Sequence, residues 1–192
     1  MGPLRDAHGT IPRSWSYLHR GKTLFTIANW TTTIGAVTFI AVLFLSAYWE
    51  ADIRWLHFFQ AWMYFATIAL AWKSSRWGYF IGVGVAAFWS YVTLFVNNFL
   101  QSGSSEASIL LKTGHLPRPD LFIAVPGWLG NLAVIVGCLL AYFALKDKKW
   151  SDLPNFLLAF AGTTGFFALI MALFQPRYLG LFPCLLHPHL HL

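Results

Sequence analysis

The chain has 192 residues, of which 57% are hydrophobic and only 10% charged, whereas a soluble domain carries about 25% charged residues. So short a chain cannot hide this much apolar surface from water, which excludes a soluble globular domain and predicts an all-α integral membrane protein. The net charge of +6 does not point to nucleic acid, because the Lys and Arg residues sit in short hydrophilic gaps between apolar runs, where membrane orientation places them.

A hydrocarbon core about 30 Å thick needs about 20 apolar residues in a helix. With no water in that core, each span satisfies its own backbone by being helical; the runs are continuously apolar and lack the alternation of a closed barrel. Five spans are expected, forming one bundle and a single domain over 1–192. The first covers about 24–49, after a segment holding Arg5, Arg13, Arg20 and Lys22. It is too long for a signal-peptide core and reads as a retained span. The second, about 56–72, is short, and "WEADIRWLHFFQAW" leads into it with Glu50, Asp52, Arg54, His57 and Gln60. The third covers about 79–100 and the fourth about 121–145, which contains Asn131. The fifth covers about 156–175, with Thr163 and Thr164 inside it.

Small residues let membrane helices approach closely where lipid and leucine are equally apolar. Gly78, Gly82, Ala86 and Ser90 recur every fourth residue, so they share one helical face and are read as a helix-packing surface. Gly127 with Gly130, and Gly162 with Gly165, offer further approach points. Between the third and fourth spans, "QSGSSEASILLKTGHLPRPD" predicts a short outer interfacial helix over about 104–113. Ser104 or Ser105 would cap it, and Gly114 with Pro117 would stop it.

Orientation follows from the cations. Arg5, Arg13, Arg20, Lys22, Lys73, Arg76, Lys146, Lys148 and Lys149 fall on one side, and Arg54, Lys112, Arg118 and Arg177 on the other. The positive-inside rule then predicts a cytoplasmic N-terminus and an outside C-terminus. On this topology the "NWT" at Asn29 faces the cytoplasmic half and stays unmodified.

No Asp, Glu, Lys or Arg lies deep in a span, which disfavours a proton pump or an ion-coupled transporter. No P-loop, HExxH, nucleophile elbow or dinucleotide fingerprint is present. Cys138 and Cys184 form no redox motif. Polar groups within or at the ends of spans, above all Asn97 and Asn131, are the candidate ligand-binding residues. Asp52, His57 and His115 are the candidate catalytic residues on the outer face. In the tail "PCLLHPHLHL", His187, His189 and His191 with Cys184 are candidate metal ligands. Leu185, Leu186, Leu190 and Leu192 favour instead a tail lying on the membrane surface with adventitious metal affinity. In size and span number the chain is similar to the small translocator/tryptophan-rich sensory family; that family's aromatic and proline pattern is absent, so the similarity implies only that a five-helix bundle this small can hold an apolar ligand.

Two function classes follow. The first is a non-catalytic protein that packs with a membrane-protein partner or a second copy of itself, or holds an apolar ligand, with the lipid bilayer as its surroundings. The second is a membrane enzyme or metal/redox protein working with outer-face His and carboxylate groups. The orientation is tested at Cys184: a membrane-impermeant maleimide is expected to label it in intact cells, and labelling only after permeabilisation would reverse the topology.

Overall fold

The computed structural model describes residues 13–176. Within them the chain is all-helical, with no strand. The order is α1 (Arg13–Trp49), a 3-10 turn (Ala51–Ile53), α2 (Arg54–Trp72), α3 (Arg76–Tyr91), a π turn (Val92–Val96), α4 (Phe99–Thr113), α5 (Pro119–Phe122), α6 (Ala124–Ala144) and α7 (Asp152–Phe174). Four stretches are long and apolar enough to cross a membrane: Lys22–Trp49, Arg76–Phe95, Pro119–Ala144 and Asp152–Phe174. The chain is on this ground a multi-pass membrane protein. The second expected span, α2, is not among the four; it carries Arg54, His57 and Gln60 together with amphipathic Trp and Tyr rings.

The closest approach in the bundle is between α1 and α6. A methyl group on Gly35 would sit 2.5 Å from Gly130 O and 2.9 Å from Ala133 Cβ, and one on Gly130 would sit 2.8 Å from Gly35 O. A methyl on Gly137 would strike Thr32 Oγ1 and come within 2.8 Å of Ala28 O. Only glycine allows the two backbones to come this near. The third helix docks in the same manner. Gly78 lies against Leu70 and Ala71 of α2, and Gly82 against Thr67 of α2 and Cys138 of α6. Ala86 on the same face is fully buried, and Ser90 is half-buried.

The outermost of the four is α7, where 28% of the apolar stretch is buried against 50% in α3. Its inward face runs through Ala159, Thr163, Phe167 and Ile170, and Phe167 stacks on Phe88 of α3 with centroids 5.2 Å apart. Gly162 and Gly165 fall off that face by helical periodicity, and a methyl group on either would meet nothing within 4 Å beyond its own helix, so the approach point expected of them is not used among the described residues.

Two boundaries differ from expectation. The third span does not continue to Leu100. It ends in the π turn, where the Asn97 N–H donates to Val92 O at 3.0 Å, and Asn97 then turns extended. The Asn97 side-chain oxygen accepts the Phe99 N–H at 3.1 Å, which starts α4 five residues before the expected helix. Ser104 and Ser105 consequently lie inside α4 and donate back to Leu100 O and Gln101 O at 2.8 and 3.1 Å; they are not caps. Gly114, left-handed at φ 69°, ends the helix as expected.

At the opposite end of the bundle Asp152 ties three elements together. It accepts from Arg76 Nη1 at 3.0 Å, from Tyr142 OH at 3.1 Å and from the Lys149 N–H at 2.9 Å. Its place in the first turn of α7 also suits the positive end of the helix dipole.

A methyl group at two glycines should have opposite effects. Gly35→Ala is expected to destabilise by about 1–3 kcal/mol, because α1 and α6 must separate. Gly162→Ala, facing open space, should be neutral or gain up to about 1 kcal/mol from helix propensity. Unfolding midpoints of the two variants in one detergent check this; equal shifts would show that the glycine seam does not hold the bundle.

Candidate functional site

Polar side chains within an apolar bundle need partners, and tracing those partners locates the site. On α2, His57, Gln60, Tyr64 and Thr67 lie three or four residues apart and so share one helical face. Gln60, Tyr64 and Thr67 are fully buried. Thr67 donates to Met63 O at 2.9 Å, and Tyr64 OH donates to Asn131 Oδ1 of α6 at 2.6 Å. His57 Nδ1 lies 3.1 Å from Leu43 O of α1. A carbonyl only accepts, so in the neutral ring Nδ1 carries the proton and Nε2 keeps its lone pair.

Gln60 is the exception. Neither its Nε2 nor its Oε1 has a protein hydrogen-bond partner, and the Trp89 Nε1 of α3 is buried and unpartnered as well. All three atoms belong to residues that line one cavity of about 520 Å³. Its walls are apolar: Phe39, Val42 and Leu43 from α1, Leu56 from α2, Phe88 from α3 and Met171 from α7. Gln60 and Asn131, fully or almost fully buried, lie at its inner end. Glu50, Asn97 and Asn98 also line it and are exposed, which puts its mouth at the helix ends carrying the α1–α2 connection and the π turn. A cavity of this size suits a small organic molecule, and apolar walls with a few convergent polar groups are the usual composition of such sites.

The residues singled out from sequence distribute as follows. Asn97, Asn131 and His57 line the cavity. Asp52 does not; it sits exposed on the 3-10 turn, and its backbone oxygen accepts from Gln175 Nε2 beyond α7. His115 is exposed in the turn after α4, where its N–H donates to Thr113 Oγ1 at 3.2 Å. Gly78, Gly82 and Ala86 lie between helices, away from the cavity lining. Among the described residues no three His, Cys, Asp or Glu side chains come together as metal ligands. Cys184, His187, His189 and His191 lie outside the described residues. Arg118 and Asp120 form a two-pronged pair, with Nε–Oδ1 at 3.0 Å and Nη2–Oδ2 at 2.7 Å. The hydrogen bond to that carboxylate raises the Arg118 guanidinium above its ordinary value, and the exposed pair stands at the entry to α5.

Gln60 and Trp89 were not candidates from sequence. In the sequence Gln60 stands among the outer-face polar residues, and Trp89 carries no signal of its own. The spacing 57, 60, 64, 67 was the available signal, since a polar stripe at helical period inside an apolar run must face inward.

Comparison with protein-family models, with characterised proteins and with solved structures returned no match.

The Tyr64–Asn131 bond closes the inner end of the cavity and can be measured by a double-mutant cycle. Tyr64→Phe and Asn131→Leu are each expected to cost about 1–2 kcal/mol, since each strands the other partner. The double variant should recover about 1 kcal/mol of the summed loss. Strict additivity in denaturant titrations would show that the bond contributes nothing.

Proposed function

We propose that this chain is a membrane-embedded binding protein that holds an amphipathic small molecule in the cavity lined by Gln60, Trp89 and Asn131. The observation that carries the reading is Gln60. A fully buried amide with both ends unpartnered costs stability, and a polar group retained within a membrane bundle at such a cost is a functional-site hypothesis by default. A ligand that enters the cavity supplies the missing partners.

The reading includes a topology. We take α2 as a fifth crossing, because it runs beside α1 for most of the thickness a bilayer core requires. Arg54 Nε reaches Ala47 O at one end and Trp72 Nε1 donates to Thr33 Oγ1 at the other. Those contacts are separated by about 21 Å along α1 and about 27 Å along α2. The lower hydropathy of α2 reflects its inward polar stripe and its Trp and Tyr rings, which membrane boundaries accept. With five crossings and the cation asymmetry, the N-terminus is cytoplasmic, the C-terminus outside, and the cavity mouth faces outward. The longer helix α4 then lies along the outer surface, with Leu111 exposed toward lipid and Gly103 seated against Leu121 O and Ala124.

Gln60→Leu separates ligand binding from folding. In protein stripped of small molecules, it is expected to raise stability by about 1–2 kcal/mol, because it removes an unsatisfied buried amide. In protein purified in mild detergent, organic extraction and mass spectrometry should find a retained amphipath in the wild type and less of it in the variant. Absence of any retained molecule, together with an unchanged unfolding midpoint for Gln60→Leu, would sink the proposal.

A further inference from the structure

The three unpartnered atoms also define what the occupant's polar end must be, an inference that rests on the cavity reading above. The register of α2 and α3 sets their relative depth. The two helices are antiparallel, joined through residues 73–75. Gly78 packs on Ala71, and Gly82 on Thr67. In both pairs the residue numbers sum to 149, so the level of Gln60 on α2 is the level of residue 89 on α3. Gln60 and Trp89 therefore stand at one depth on neighbouring helices, both line the same cavity, and both present buried polar atoms without partners.

Their chemistry is complementary to a narrow class. Trp89 Nε1–H donates only. The Gln60 Nε2 donates two hydrogens, and its Oε1 accepts. A group that serves all of them needs an acceptor oxygen next to a donor hydrogen. Charge is disfavoured at this depth: among the described residues no Lys or Arg lines the cavity, and Glu50 stands at the mouth. His57 also lines the cavity, and its Nδ1–H is engaged by Leu43 O; a carboxylate would find no fixed cation there and would leave Gln60 Oε1 without a donor. An alkane or an ether tail would satisfy none or only some of the atoms. We infer that Gln60 and Trp89 form a recognition site for an uncharged lipophilic molecule whose polar end carries a donor beside an acceptor, of the hydroxyl or primary carboxamide kind. Its apolar body occupies the part of the cavity walled by Phe39, Leu56, Phe88 and Met171.

The test uses the full chain in phosphatidylcholine nanodiscs, with apparent affinities taken from the rise of the unfolding midpoint with probe concentration. The probes are dodecanamide, N,N-dimethyldodecanamide and 1-dodecanol. Dodecanamide is expected to bind tightest. Loss of the donor hydrogens in the dimethyl probe should weaken binding about tenfold, whereas the alcohol, whose hydroxyl both donates and accepts, should stay within about threefold of dodecanamide. Gln60→Leu and Trp89→Phe should each weaken dodecanamide by about as much and remove the preference among probes. Trp89→Phe, which keeps an aromatic ring against Phe167, carries the test alone if Gln60→Leu does not fold. Equal affinity for all three probes, unchanged in the variants, would overturn the assigned polar end while leaving an apolar cavity binder. No binding of any probe to wild type, with an amphipath of other chemistry recovered by extraction, would overturn it too; no binding with nothing recovered would take the cavity reading down with it.

Discussion

The approach of α1 and α6 through Gly35, Gly130 and Gly137 is the constraint on which the bundle rests. Lipid removes the hydrophobic drive that joins helices in water, so association depends on dispersion between surfaces that fit closely. Here backbone atoms of one helix occupy the places where side chains of the other would be. That contact fixes the rotation of α1 and α6 about their own axes and so decides which residues face inward. Phe39 and Asn131 are turned toward Tyr64 of α2 because Gly35 and Gly130 are turned toward each other. The seam runs directly into the cavity, since Phe39, Val42 and Gly127 belong to both.

Polar groups are distributed by depth in a way that matches this packing. The ion pairs lie at the ends of the bundle, Arg76 with Asp152 at one and Arg118 with Asp120 at the other. Between them the buried polar groups are hydroxyls and amides. The threonines donate to carbonyls one turn back in their own helices, and Tyr79 and Tyr64 bond to Asn29 and Asn131. Against so consistent a background Gln60 stands apart, an amide that the protein itself leaves unserved.

Much of this was legible in the sequence, and the reasons are physical. The all-helical membrane class follows from composition, and span positions follow from the length a bilayer demands. Gly114 was legible as a helix stop because a left-handed residue is required there. The end of the third helix was not legible. Val92 to Val96 are as apolar as any membrane segment, and what breaks the helix is Asn97 capturing the Phe99 N–H, a local bond with no compositional mark. The outward face of Gly162 and Gly165 was missed because a glycine pair signals close approach only if a neighbouring helix is on that side. For the cavity, Asn97, Asn131 and His57 could be named from sequence as polar exceptions. That Asp52 and His115 do not line it depends on the loops, and loop geometry is not written in periodicity. Gln60 was hidden by its nearness to the charged end of α2, although its spacing from Tyr64 already placed it on the inward face.

The π turn at Val92–Val96 has a consequence of its own. A π turn takes up one residue more than an α-helical turn, and here it closes the third helix, with Asn97 extended directly after it. Each residue in an α-helix advances the direction of the next side chain by about 100°. Without the added residue, the chain would leave the helix in a direction wound round by about that angle, and Asn97 and Asn98, which now line the cavity, would be redirected. The rim of the cavity is in this sense set by a phase shift at the end of one helix, and its composition depends on counting residues as much as on choosing them.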